Sequence, residues 1–171
     1  MVIWTLLAVL LAGAFWTDAR RRIIPNWMTA GGAAVGILLN GLVGGVGELR
    51  ESAMGMAAGF GLMLLLHLCG ALGAGDVKLF AAIGAIGGVR FVLVCSFYSL
   101  LIAGLIAIMV LLFKGRLIAL AERLLFVYVG LVFTKRFAWF QPAERTELHK
   151  FPFMYAVLPG AVVAGFEIIF L

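Results

Sequence analysis

Polar residues punctuate this chain instead of alternating with apolar ones. Up to residue 113, charged side chains fall only at 18–22, 48–51, 76–78 and Arg90. The runs between and after them read as six apolar segments: Val2 to Thr17, Trp27 to Val43, Ser52 to Leu72, Val77 to Gly88, Phe91 to Phe113 and Phe151 to Leu171. A bilayer-spanning helix needs about 20 mostly apolar residues. The first segment is short and is expected to run on to Asp18. The fourth is short and glycine-rich. The last holds Pro152 and Pro159 and is expected to bend. The pattern predicts an all-α, polytopic membrane protein with six transmembrane helices. Residues 1–171 form a single membrane-embedded domain in this reading.

Residues 114–150 break the pattern. Leu124 to Thr134 is uncharged, but it is shorter than a span and is flanked by Glu122, Arg123, Lys135 and Arg136. Runs of about 10–14 apolar residues are more often interfacial than spanning. The expectation is an additional helix along the cytoplasmic membrane surface; a seventh span is the alternative.

Composition agrees with burial in lipid. The 171 residues are 65% hydrophobic and 12% charged, with mean hydropathy +1.18. A soluble domain carries about a quarter charged residues. The net charge of +5 raises the question of a nucleic-acid partner, but the cations sort by membrane side. With six spans and the N-terminus outside, the inner segments hold Arg20, Arg21, Arg22, Lys78, Lys114, Arg116, Arg123, Lys135, Arg136, Arg145 and Lys150. Only Arg50 and Arg90 fall outside. That asymmetry follows the positive-inside rule and marks topology, not nucleic-acid binding. Residues 1–17 lack a basic leading region, and charge follows the apolar run, so they read as a retained helix.

Few residues are equipped for chemistry. Asp18 and Asp76 are the only aspartates. Two spans lie between them, so both carboxylates are expected at the same face, where they could meet. Asp18 closes a helix whose macrodipole disfavours it and sits against hydrocarbon, unfavourable on both counts; it reads either as a functional group or as a boundary residue balanced by Arg20 to Arg22. Asp76 closes Gly73-Ala74-Gly75-Asp76 and reads equally as a helix N-cap or as a catalyst. Gly73 and Gly75 suit a loop that brings a carboxylate close to another helix. Lys78 either holds that loop or anchors the inner side. Two adjacent carboxylates share a proton, so one can activate water while the other donates to a scissile carbonyl. His67 has no second ligand at helical spacing, Cys69 and Cys95 form no CxxC, and no GxSG occurs, so no metal, cofactor or serine nucleophile is expected.

The stretches Asp18-Ala19-Arg20-Arg21-Arg22-Ile23-Ile24-Pro25-Asn26 and Gly73-Ala74-Gly75-Asp76-Val77-Lys78-Leu79 resemble the two signature segments of the type IV prepilin peptidases, membrane aspartic proteases with a GxGD motif. Pro152-Phe153-Met154-Tyr155-Ala156 is loosely similar to a proline–aromatic segment opening the last helix. The resemblance implies a six-helix fold, Asp18 and Asp76 as the catalytic pair, and a pilin-like precursor as substrate. It also implies removal of a basic leader at the cytoplasmic face of a prokaryotic inner membrane. Without a cysteine-rich insertion, the chain resembles the short, peptidase-only members of tight-adherence (Flp) pilus systems. Preflagellin peptidases share much of the pattern. A non-enzymatic transporter or assembly subunit, with the aspartates carrying protons or capping helices, is the alternative of another class. The sequence sets no oligomeric state.

Overall fold

The computed structural model describes residues 2–21, 24–113 and 153–170. They form four helical elements: α1 (Val2–Arg21), α2 (Asn26–Leu68), α3 (Ala74–Phe113) and α4 (Met154–Phe170). No strand occurs among the described residues. Three helices are long and apolar enough to cross a membrane, and Met154–Ile168 is a shorter apolar helix. The interfacial helix expected within 114–150 lies outside the described residues. The chain divides into two units: Met1–Ala103 with Pro152–Leu171, and Gly104–Phe151. Of the second unit the described part is the apolar end of α3, and everything below concerns the first.

The 43 residues of α2 would reach roughly 64 Å as one straight helix, about twice the ~30 Å hydrocarbon thickness. It is not one straight helix. Gly45 has φ 70 and ψ −158, leaving residues 26–44 and 46–68 as separate helical runs. Gly88, with φ 78 and ψ −179, divides α3 in the same way into 74–87 and 89–113. Side chains with a Cβ rarely adopt such φ values, whereas glycine does so freely. The charged stretches near 48 and 90 were expected to be loops between spans. The structure keeps them helical and confines each break to one glycine. Charge at a boundary does not end a helix when it can face outward; loss of helical φ and ψ does.

Each break leaves helical carbonyls without an intrahelical donor. At Gly88 they find side chains. Asn40 Nδ2 donates to the Ala85 and Ile86 carbonyls at 3.1 and 3.2 Å, and Ser52 Oγ donates to the Ala85 carbonyl as well. Asn40 and Ser52 are themselves buried. Two polar residues inside apolar helices are thereby accounted for. In a low-dielectric interior an unpaired carbonyl is costly, and these side chains satisfy two of them.

The second half of α2 and the first half of α3 touch backbone to backbone. A Cβ added at Gly55 would overlap the Gly84 carbonyl oxygen, and one at Gly84 would overlap the Gly55 oxygen. Gly59 likewise lies against the Phe80 carbonyl. Small residues at helix crossings permit this approach in membranes, where apolar side chains gain little from leaving lipid. On the far side, Gly160 of α4 abuts Ser99 of α3. The packed interior includes Met63, Phe80, Ile83, Phe91, Val92 and Met154. Its outer surface is apolar: Leu42, Val43, Trp27 and Phe166 are among many exposed large hydrophobics. Polar groups inside and large apolar groups outside suit a molecule solvated by lipid.

α1 packs against α2 and α4. Near its start, Trp4 meets Phe91 edge-on at 5.5 Å; at its other end, Phe15 meets Tyr155 at 5.3 Å. These contacts place residues near Gly88 at one end of the unit and residues near Met154 at the other.

Candidate active site

Asp18 sits in the last turn of α1, three residues from its end. The segment was expected to run on to Asp18, and the helix carries on past it to Arg21. Asp18 is 8% exposed, so its carboxylate faces protein and not the membrane surface. Its Oδ2 accepts the backbone N–H of Met154 at 3.4 Å. That donor opens α4, and unpaired N–H groups at a helix start carry partial positive charge. The dipole of α1 disfavours a carboxylate at Asp18, and the N-terminus of α4 offsets it. Just beyond, the Arg20 guanidinium stacks on Trp16, 4.2 Å from the ring centroid.

Asp76 lies in the first turn of α3. The helix begins at Ala74, earlier than the Val77 expected from the apolar run. Gly73 is therefore the residue flanking the helix, and Asp76 is its third helical residue. From there its Oδ2 accepts the Gly73 N–H at 3.1 Å, while the Asp76 N–H donates to the Gly73 carbonyl at 3.1 Å. This is the back-bonding half of a capping box. The N-cap reading of Asp76 is thus corrected by position: it supports the helix start from inside.

The glycines of the motif also differ from expectation. Neither Gly73 nor Gly75 has positive φ; in this loop that conformation belongs to Gly70 (φ 75). There the Ala71 N–H bonds the Leu66 carbonyl and the Gly70 N–H bonds the His67 carbonyl, a Schellman ending for α2. A Cβ on Gly73 would come within 3.2 Å of Asp76 Oδ2, so Gly73 is small because the carboxylate folds back over it. Gly75 faces Ile24 at ordinary contact distance.

The two carboxylates are close enough to interact electrostatically, and Asp76 also interacts with His67. Asp18 and Asp76, carried by different helices, thus lie at the same end of the described unit. His67 Nδ1 lies 2.8 Å from the Leu72 carbonyl, which can only accept, so Nδ1 carries the hydrogen. His67 fastens the loop that leads to Gly73. Among the described residues Lys78 engages no carboxylate. Its Nζ donates to Asn26 Oδ1 at 2.8 Å, tying the second signature segment to the end of the first. Asn26 and Met154 were not singled out as site residues. Their signal lay in the stretches that carried the family resemblance, Pro25-Asn26 and Phe153-Met154. Phe153 also packs on Phe80 with centroids 6.2 Å apart.

Among the described residues no group of three or more His, Cys, Asp or Glu could hold a metal ion. What the arrangement offers is acid–base chemistry: two interacting carboxylates on separate helices, each with an oxygen held by a backbone N–H.

The profile of the type IV leader peptidase family matches residues 5–112, a range that takes in Asp18, Asn26, Gly73, Asp76 and Lys78. The chain belongs to this family. Membership makes it a membrane protease that acts on leader peptides of pilin-like precursors. Neither the curated proteins nor the solved structures hold a match to it. Within a leader peptidase, the pairing of Lys78 with Asn26 and of Met154 with Asp18 joins three segments far apart in sequence around the two aspartates.

Proposed function

We propose that this leader peptidase is an aspartic-type endopeptidase with Asp18 and Asp76 as its catalytic pair. The observation that carries the reading is that the two carboxylates, on different helices, each have an oxygen held by a backbone N–H, Asp18 by Met154 and Asp76 by Gly73, within electrostatic range of one another. Two carboxylates that meet over a substrate resist carrying two charges and hold one proton between them. The ionised member takes a proton from a water molecule as its oxygen attacks the scissile carbonyl. The protonated member donates to the carbonyl oxygen, forming a tetrahedral gem-diol. Proton transfer to the amide nitrogen then breaks the C–N bond and releases leader and mature chain. Gly73, Gly75 and Lys78 form the supporting loop: Gly73 fixes one Asp76 oxygen, and Lys78 locks the start of α3 to Asn26.

Six spans are the favoured topology. The glycine breaks at 45 and 88 divide the two long helices into four runs, of which 26–44, 46–68 and 89–113 have the length of a crossing and 74–87 is shorter. The cation asymmetry then puts the aspartates at the cytoplasmic face of a prokaryotic inner membrane, with 114–150 an interfacial segment of one peptidase domain. A substrate cut just before its hydrophobic helix would present the scissile bond at that boundary. The absence of a cysteine-rich insertion from the sequence favours pilin precursors of the tight-adherence (Flp) type.

The test is co-expression with a candidate Flp-like precursor, following leader removal by mass. General acid–base groups contribute about 10²- to 10⁴-fold each, so Asp18→Asn and Asp76→Asn should each abolish processing while the protein still inserts and folds. Processing at the wild-type rate by either variant would overturn the assignment.

A further inference from the structure

The end of the unit remote from the aspartates holds a feature that leader cleavage does not use. A cavity of about 270 Å³ opens beside Gly88, twelve residues beyond Asp76 and so about 18 Å further along the helix axis. Trp4 and Leu7 of α1 form an apolar wall. Glu48, Glu51 and Arg90 also line it. From Trp27 to Gly75 and from Leu79 to Phe113 the chain has only four charged side chains, Glu48, Arg50, Glu51 and Arg90. Three of them face this one cavity. Their convergence gives one cavity both signs of charge.

The lining is fixed in place. Asn40 and Ser52 line the cavity and are buried; their bonds to the carbonyls freed by the Gly88 break hold α2 and α3 in register there. Among the described residues no ion pair ties Arg90 to Glu48 or Glu51. The site therefore offers a guanidinium suited to a phosphate and two carboxylates suited to an ammonium. Two carboxylates beside a guanidinium make a poor cage for a divalent cation, which takes six or more oxygens. Immediately around the other break, Leu42, Val43 and Val46 are large, apolar and 82%, 81% and 67% exposed. Exposed apolar surface of this kind suits contact with a bilayer, where the amphiphile at hand is a membrane lipid.

We propose that this cavity is a binding site for a zwitterionic phospholipid bearing a primary amine, a phosphoethanolamine headgroup. The phosphate sits on Arg90. The ammonium, with three N–H donors, sits between Glu48 and Glu51. An acyl chain leaves along the Trp4 and Leu7 wall. The proposal is independent of the catalytic assignment.

The test uses the full chain, purified and delipidated in detergent. Phosphatidylethanolamine, phosphatidylglycerol and phosphatidylcholine with identical acyl chains are offered separately, and bound lipid is counted by native mass spectrometry. The expected result is retention of phosphatidylethanolamine about ten-fold tighter than either competitor. Phosphatidylglycerol lacks the ammonium, and phosphatidylcholine lacks its N–H donors. Arg90→Gln and the double variant Glu48→Gln with Glu51→Gln should each erase that preference while leaving leader cleavage intact, which reports a folded protein. Equal retention of the three lipids by the unaltered chain would overturn the proposal, and that arm needs no variant. A preference unchanged in folded variants would overturn it too. Soluble phosphoethanolamine forms a third arm: binding as tight as that of the lipid would show that the headgroup comes from solution and sink the lipid assignment.

Discussion

Met154 donates its backbone N–H to Asp18 Oδ2 across 136 residues of sequence. The donor belongs to the first turn of α4, where an N–H has no intrahelical partner. The bond thus satisfies a helix start and fixes a carboxylate at once. It also makes α4, outside the span matched by the family profile, part of the site.

A backbone donor is removed by proline, and the first helical position tolerates proline well. Met154→Pro should therefore retain α4 but lose the bond to Asp18. Since Met154 is fully buried, Met154→Ala is the control for lost packing. A hydrogen bond to a charged group contributes roughly 1.5–3 kcal/mol, and at 3.4 Å this one belongs at the lower end. Met154→Pro should lower kcat/KM for leader cleavage about ten-fold below Met154→Ala. Equal activities of the two variants would show that Asp18 is held by other contacts.

Lys78 and Asn26 give a second expectation. Both are exposed, and even an exposed ion pair adds little to stability, so a bond from an ammonium to a neutral amide there adds little as well. Their bond matters for where the first turn of α3 lies. Lys78→Met and Asn26→Leu should each slow cleavage while leaving the unfolding temperature nearly unchanged. The double variant should be no slower than the slower single one, because each change removes the same bond. Additive losses would mean that the two residues act separately, for example Lys78 as a topological anchor alone.

The site was legible in the sequence to the extent that composition and counting could reach. Asp18 and Asp76 were found by their rarity, and their shared end by two apolar runs between them. The helix boundaries were less legible because charge was used as punctuation. Glu48, Glu51 and Arg90 lie within helices whose interruptions are set by the conformations of Gly45 and Gly88, and a sequence with 22 glycines does not show which of them adopt positive φ. The start of α3 was missed because Ala74 and Gly75 read as loop. The role of Gly73 was visible only once Asp76 was seen folding back onto it. Partners such as Asn26 for Lys78 and Met154 for Asp18 follow from packing over long separations, which no local pattern encodes.

Asn40 carries a prediction about the Gly88 break. Replacing it with leucine keeps bulk and apolar character but removes the donor shared by the Ala85 and Ile86 carbonyls. Ser52 still serves Ala85, so the Ile86 carbonyl is the group left without its side-chain donor. Leaving a buried acceptor unsatisfied costs about 1–3 kcal/mol. Asn40→Leu should therefore unfold earlier in a thermal scan in detergent, despite raising the hydrophobicity of a membrane helix. A variant as stable as the parent would show that water or lipid headgroups solvate the break.

The crossing of α2 and α3 gives the sharpest steric expectation, because its two halves report on each other. Gly55 and Gly84 each present the space that the other's carbonyl occupies. A methyl group at either position meets backbone, which cannot rotate away as a side chain could. The helices must then separate, opening gaps along the interface that holds Phe80, Val92 and Met63. Overpacking of this kind costs typically about 1–3 kcal/mol. Gly55→Ala and Gly84→Ala should both lower the unfolding temperature, and the double variant should lose less than the sum, since one separation accommodates both methyls. Gly61→Ala is the control in the same helical run: nothing lies within 4 Å of its added Cβ, and alanine is the better helix former by roughly 0.5–1 kcal/mol. It should be neutral or stabilising. The separation should also weaken leader cleavage in the Gly55 and Gly84 variants, because Asp76 rides on the same run of α3. Thermal unfolding and cleavage rates measured on the four proteins decide the matter, and a stable, active Gly84→Ala would show that these helices do not pack backbone to backbone.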